Sequence, residues 1–342
     1  MPDKAIRTKL VGRPSWGGSL RTGPRRHGPP RTGPWWNYPG REARRMTGST
    51  LPRRALGRRL RELRERANKS QLAAGTCIEV SKQTIGRVEE GRPARISTAQ
   101  YRELLDLYGA SEAEREEVLE LHKEVRAIND SVSTQGWWRA YSDVVNPHFD
   151  HYMSLEQACD RLTAFQLTLL PGLVQTSSYR RWIETTTDPV VSAVDVERRL
   201  ELLARRQHRL TGAPGFQLNA LLSEAALRHH VGSAEVMVEQ LHHLIEVSRM
   251  PNVSLRVVPF TAGPHMGLRT QSFVLLHFPP LSVRAEPVPP VVYVEGYTGA
   301  LFLEEDALVA RHRAAVEDIQ RAALDEENTR ELVGQIAKEY TS

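Results

Sequence analysis

The chain has 342 residues, with 46 Lys and Arg against 41 Asp and Glu, a formal net charge of +5, and 40% hydrophobic residues. Its two cysteines, Cys77 and Cys159, have no paired spacing, which argues against a disulfide framework or a Cys-based metal site. No apolar run reaches the ~18 residues of a membrane-spanning helix, so a membrane role is not expected.

Charge is unevenly spread. Residues 1–45 carry 11 Lys and Arg against 2 acids, residues 52–102 carry 13 against 5, and residues 103–342 carry 22 against 34. A basic N-terminal portion on an otherwise acidic chain points to a phosphate-binding module rather than to a uniformly basic protein. Residues 1–45 are rich in Arg, Gly and Pro and lack sustained periodicity, so they cannot bury enough apolar surface to offset their ordering entropy. They read as a disordered basic tail or, preferably, as a start placed upstream of the true one, Met46.

From Met46 the pattern becomes helical. Leu56, Leu60, Leu63 and Ala67 recur at helical spacing, which predicts a first helix over ~53–67. The stretch 70–89, SQLAAGTCIEVSKQTIGRVE, reads as two short helices joined by a tight connection. Ser70 and Ser81 are placed to cap them, and Val80 with Ile85 forms a hydrophobic staple. Leu72, Ala74, Ile78, Val80, Ile85 and Val88 are expected to face inward, as is the Cys77 thiol. Ser81, Lys82, Gln83, Thr84 and Arg87 are left on the outer side of the second helix. Gln pairs bidentately with adenine, and Lys or Arg with guanine, so this outer face suits a DNA major groove. Gly91 and Pro93 end the helix, and Ile96, Tyr101, Leu104, Leu105 and Leu107 propose the helices that close the core.

These residues resemble the XRE-type, phage-repressor-like five-helix domain, in the form carried by actinobacterial antitoxin-like regulators. The resemblance implies that Gln71 opens the second helix against a phosphate, and that Lys82, Gln83, Thr84 and Arg87 approach bases and phosphates. It also implies an internal ion pair between Arg64 and Glu89. The turn position usually filled by Gly in that family is Glu79 here, at a cost of ~1 kcal/mol if the residue is left-handed.

Beyond a helix at 112–128, the polar stretch 129–135 reads as a linker between a DNA-binding domain (46–128) and a second domain (136–342). Helices are expected at ~154–170, 193–211, 223–229, 233–249, 306–323 and near the C-terminus. Strands are expected at 216–222, 253–258, 271–278 and 290–295. That order predicts an α+β domain with a small, mostly antiparallel sheet. GWWRAY, LLPGLVQTSSY, SEAALR, MPNVSLRVVPFTAGPHMG and VVYVEGYTGALFLE are similar to blocks of the second domain of the same regulators, a domain without established chemistry. The resemblance implies a very small partner protein or an effector.

Candidate partner-surface residues are the aromatic cluster Trp137, Trp138 and Tyr141, which reads first as core or domain interface, His265 on a Gly-bearing loop, and Glu295 at a strand end. Catalysis is not expected: there is no GxSxG, phosphate loop or dinucleotide fingerprint, and His242 with Glu246 lacks HExxH spacing and a third ligand. No cofactor or metal is expected. The sequence therefore predicts a cytoplasmic, nucleoid-associated transcriptional regulator, a homodimer on a double-stranded DNA operator; repression of its own operon is the default expectation for such a module, although the sequence does not give the sign. The alternative is an interaction protein whose second domain captures a small partner or ligand, with DNA binding as feedback.

Overall fold

Four successive helices near the N-terminus end in the same way, and that repetition sets the shape of the first domain. In a computed structural model that describes residues 51–130, 136–145, 147–187, 190–280, 288–297 and 299–341, α1 (Leu51–Arg66), α2 (Gln71–Cys77), α3 (Lys82–Glu89) and α4 (Thr98–Leu107) precede the longer α5 (Glu112–Asp130). After each of the first four helices the chain turns left-handed, at Asn68, Glu79, Gly91 and Gly109, with φ of 53°, 56°, 65° and 64°. The next N–H then reaches back to a carbonyl of the last turn: Lys69 to Arg64, Val80 to Gly75, Arg92 to Arg87, Ala110 to Leu105, at 2.8–3.0 Å. This is the Schellman arrangement, which satisfies carbonyls the helix itself leaves open.

The helix starts are as regular. Ser70 and Ser81 accept from Ala73 N and Thr84 N, both at 3.1 Å, as their positions predict. Ser97 and Gln100 form a reciprocal capping box, and Gln100 Nε2 also donates to Ile78 O at 2.9 Å, tying α4 to the turn between α2 and α3. Leu56, Leu60, Leu63, Ala74, Ile78, Ile85, Val88, Ile96, Tyr101, Leu104 and Leu105 form the core. Gly57 allows the closest approach in it: a Cβ there would lie 2.2 Å from Val88 O, so α1 and α3 meet backbone to backbone.

Two inward assignments are corrected. Leu72 is 62% exposed and Cys77 is exposed, because Ala74, Gly75 and Ile78 set the buried direction of a helix only seven residues long. Cys159 is the buried thiol.

The second domain is built on a six-stranded sheet of order β3-β2-β1-β4-β5-β6, with β1 (Arg161–Gln166), β2 (Gln217–Ser223), β3 (Val253–Val258), β4 (Phe273–His277), β5 (Val291–Gly296) and β6 (Gly299–Leu303). The β1–β4, β4–β5 and β5–β6 pairs are antiparallel, and β1–β2 and β2–β3 are parallel, so the sheet is mixed. Side chains alternate strictly between two cores. Leu162, Ala164, Leu218, Ala220, Leu222, Leu276 and Tyr293 face one, with Met237, Leu241 and Leu244 of α11 (Ala234–Val247) and Val333 and Ile336 of α13 (Glu326–Glu339). Phe165, Leu221, Phe273, Leu275 and Val292 face the other, closed by Val309, Val316 and Ile319 of α12 (Asp306–Ala322).

The helices α6 (Pro147–Ala158), α7 (Ser177–Thr187), α8 (Ala193–Gln207), α9 (Arg209–Gly212) and α10 (Glu224–Arg228) complete the domain. The single helix expected over 154–170 is instead the end of α6 followed by β1. A short apolar run such as RLTAF fits either state locally, and pairing on both edges, with β2 and β4, decides it. The helix α7 and the edge strand β6 were not foreseen.

The two domains meet at the start of α1. Leu51 packs into the core of the second domain. Arg54, 6% exposed, lies 5.4 Å over the Phe278 ring, and its Nη2 is 3.1 Å from Glu304 Oε2. The expected tail 1–45, the Met46 start and most of the 129–135 linker lie outside the described residues; α5 runs through 129 and 130.

Candidate nucleic-acid interface

The outer face of α3 is prepared by everything beneath it. Ile85 and Val88 are buried, which turns Lys82, Gln83 and Arg87 outward, all exposed, while Thr84 is half-buried. Ser81 spends its oxygen on the Thr84 N–H and also shares a 3.0 Å hydrogen bond with Thr84 Oγ1. The hydroxyls of Ser81 and Thr84 therefore serve the helix start, and the long side chains carry the reach.

The far end of α3 is fixed by an ion pair. Arg64 Nε and Nη2 donate to Glu89 Oε1 and Oε2 at 2.6 and 3.0 Å, a bidentate fork with side chains only 10% and 4% exposed. Arg64 Nη1 also donates to Lys69 O at 2.8 Å. The hydrogen bonds it donates to Glu89 raise the Arg64 guanidinium above its ordinary value. Gln71, expected against a phosphate, directs its Nε2 to Glu89 Oε2 at 2.8 Å, so its amide joins this network. Arg64, Gln71 and Glu89 thus lock α1, α2 and α3 into one body, and α3 can meet a groove only with the whole module.

Arg87 is less free than its exposure suggests. Its Nη2 donates to Pro93 O at 2.7 Å, folding the side chain back along the loop that follows α3. That loop carries Arg92 and Arg95, both exposed, and they line a cavity together with Arg53 of α1. None of the three was singled out from sequence, although GRPAR just after α3 was the available signal.

The candidate partner-surface residues do not converge. Trp137, Trp138 and Tyr141 lie on a 3-10 turn over 137–141 and pack with Val144, Met153 and Leu202 as a small core. Trp137 meets Trp138 and Tyr141 edge-on at 6.1 and 6.3 Å, Trp138 Nε1 donates to Asp150 Oδ1 at 2.8 Å, and Arg205 lies 5.7 Å over both Trp137 and Tyr141. The aromatic cluster is therefore a structural joint between this turn and α8.

His265 spends Nδ1 on Gly267 N at 3.1 Å, on the sheet face that carries Phe165. Glu295 is exposed and follows Tyr293 by two residues, which places it on the opposite face. The two lie on opposite faces of the sheet. Among the described residues no three His, Cys, Asp or Glu side chains gather as a metal site, and His242 and Glu246 are both exposed on α11. No helix among them is long and apolar enough to cross a membrane.

Fold and site together define a helix-turn-helix protein with an appended α+β domain. Residues 55–118 match the family model described as a helix-turn-helix domain, and residues 149–335 match the one described as a domain of unknown function, DUF5753. The second match spans more than half of the chain, and the chain belongs to that family. Neither the curated proteins nor the solved structures contain a match to it.

Proposed function

We propose that the protein is a sequence-specific transcriptional regulator that inserts α3 into the major groove of an operator as a homodimer, in the manner of XRE-type antitoxin-like regulators, and controls its own operon at the nucleoid. The observation that carries this reading is a polar, cationic helix face (Lys82, Gln83, Arg87) held outward on a module whose core and ion pair fix its orientation. The matched helix-turn-helix family supports it. The basic balance of residues 52–102 supplies the sequence-independent share of affinity. In such dimers two reading helices address half-sites about 34–36 Å apart, so a two-fold operator follows.

The test is fluorescence-anisotropy binding of residues 46–342 to the DNA upstream of the gene across a salt series. Arg87→Ala should cost about 1–3 kcal/mol of specific affinity if it reads a base. Equal loss on scrambled DNA would reduce it to a phosphate contact, and absence of binding at low salt would reject the reading.

A second reading is favoured by the surface of the second domain, where Phe260, Leu268, Tyr297 and Leu301 are 64%, 72%, 83% and 59% exposed. In it the domain captures a small partner protein or effector, and DNA binding supplies feedback. The isolated fragment 136–342 should then retain activity, and a pull-down with it that recovers no small protein or ligand would reject this reading. Under both readings no catalytic step is assigned to the chain.

A further inference from the structure

One face of the six-stranded sheet changes character along its strands. Phe165 and Leu221 make it apolar where α12 covers it, but nearer the starts of β1, β2 and β3 it carries Arg161 beside Gln217, and Thr163 beside Asn219 and Ser254. Parallel strands packed on both faces are ordinarily apolar along their length. Arg161, Gln217, Asn219 and Ser254 instead line a cavity of about 550 Å³, with the loop 248–252 between α11 and β3, and Glu326 and Arg330 of α13, as its other sides.

The cavity is firm, and its lining is only partly spent on the fold. Asn252 Nδ2 donates to Leu210 O and Phe216 O at 2.9 and 3.1 Å, which fixes the loop. Ser254 Oγ donates to Glu326 Oε1 at 2.7 Å, which ties α13 to β3 and engages the one carboxylate of the described lining. Asn219 Oδ1, by contrast, is buried and accepts no hydrogen bond, a rare condition for a buried polar atom. Arg161, Arg249 and Arg330 supply three cations, and among the described residues their guanidiniums form no hydrogen bond or ion pair. Residues 103–342 carry 22 Lys and Arg against 34 acids, so the cavity is a local reversal of sign. Arg161, Arg249 and Gln217 are exposed, whereas Arg330 and Asn219 are half-buried, so two of the cations stand at the mouth and an amide lies deeper.

We propose that this cavity binds a nucleoside monophosphate, its phosphate on Arg161, Arg249 and Arg330 and its base edge on the amides of Gln217 and Asn219. Guanidinium forks match phosphate oxygens, and a phosphate near the mouth keeps part of its hydration. An Asn or Gln amide offers a donor and an acceptor side by side, the pattern that a base edge answers. An organic acid with an apolar body would find little to cover, because Leu218 and Val253 of the lining turn their side chains into the core on the opposite face. One group of cations and one pair of amides suit a mononucleotide better than a chain of them. The volume lies in the range of small-molecule sites, about 300–1,000 Å³. Where the second domain takes an effector, the nucleotide is that effector; the role rests on that reading, and binding does not.

The experiment uses the full chain without DNA, titrated calorimetrically with the 5′-monophosphates of adenosine, guanosine, cytidine and uridine, with the nucleosides and inorganic phosphate as controls. Saturable binding of one nucleotide per chain is expected for at least one of them, at least tenfold tighter than its nucleoside or phosphate. Asn219→Leu should weaken it at least tenfold, and so should Arg249→Glu; circular dichroism checks the fold, and the exposed Arg249 position decides alone should Asn219→Leu not fold. Lys82→Ala with Arg87→Ala, which removes cations of the outer face of α3, should leave nucleotide binding unchanged. Absence of saturable binding, phosphate binding as tightly as every nucleotide, full binding by the folded cavity variants, or loss of binding in the α3 variant would overturn the site.

A second arm measures operator affinity with and without saturating nucleotide, where a severalfold change is expected and Arg249→Glu should be insensitive to it. Nucleotide binding with unchanged operator affinity would reject the effector role, whereas absent nucleotide binding rejects the site itself. A single-stranded oligonucleotide that binds more than tenfold tighter than every monophosphate, and loses that advantage with Arg249→Glu, would assign the face to a polynucleotide instead.

Discussion

Among the described residues each domain holds one buried Arg–Glu fork, and the two differ in what surrounds them. Arg64–Glu89 joins α1 to α3, and both partners have further polar support, Lys69 O for the arginine and Gln71 Nε2 for the carboxylate. Arg206–Glu156 joins α8 to α6 at 2.9 and 2.8 Å, with side chains 9% and 0% exposed, and the guanidinium lies against the rings of Phe149 and Tyr152 at 5.1 and 5.8 Å. Burial by itself would push the Glu156 carboxyl up, yet Arg206 and the Tyr152 hydroxyl hold it below its ordinary value. The first pair sits in a polar network at the edge of a small module. The second is a charge pair inside an apolar core, so its loss leaves more uncompensated.

The largest effect should therefore come from the second domain. Glu156→Ala strands the Arg206 guanidinium among aromatic rings and should cost about 3–5 kcal/mol, read by chemical denaturation. Replacing both partners with apolar residues, Glu156→Leu with Arg206→Met, should recover most of that loss, because an ion pair and a well-packed apolar pair of similar volume differ little. A double variant as unstable as the single one would mean that the pair organises α6 and α8 in a way packing cannot replace. Glu89→Ala should cost about 3 kcal/mol, at the lower end of the same range, since Arg64 keeps the Lys69 carbonyl. An unchanged melting temperature would refute the burial of that pair. Equal costs for Glu156→Ala and Glu89→Ala would remove the contrast between the two sites.

Acid should act on the second domain through two imidazoles, His151, which is buried, and His277, which is half-buried. Burial, then Arg54 and Arg92, push His151 down to about 4, and burial, then Arg161 and Arg313, do the same to His277. Both are held neutral in the fold, so their contribution is complete above the ordinary value of 6.5 and is lost as pH falls from there toward about 4. Calorimetric melting between pH 7 and 4 should show the decline, and His151→Phe should flatten part of it. A slope that this variant leaves untouched would move the cause elsewhere.

The smallest effect belongs to the turn of the reading motif. Glu79→Gly relieves a left-handed residue with φ of 56° and should stabilise the module by ~1 kcal/mol or less, part of the relief being offset by a more flexible unfolded chain. A loss of stability would mean that the Glu79 side chain contributes something the turn geometry does not reveal.

How much of this was legible follows the range of the interactions. The caps Ser70 and Ser81, the inward Ile85 and Val88 and the outward Lys82, Gln83 and Arg87 all depend on neighbours within one or two turns, and the sequence states them directly; the left-handed Glu79 was raised only by the family resemblance, and the structure decides it. Arg64–Glu89 was readable only because its partners ride on a motif with a known layout. Arg206–Glu156 has no such carrier.

The same limit explains the misassigned helix over 154–170, whose end becomes the sheet's central strand β1 through pairing with segments about 55 and 110 residues away. It explains Leu72 and Cys77 too, whose exposure was fixed by which face of a seven-residue helix found a partner. By itself the sequence determined the module, its caps and the outward face of α3, because those are local. Only tertiary structure decided the parallel half of the sheet, the separation of His265 from Glu295, the inward turn of Gln71 and the gathering of Arg53, Arg87, Arg92 and Arg95 around one cavity. Each of these depends on where distant segments come to rest, and that is set by the packing of whole elements rather than by the preferences of any single one.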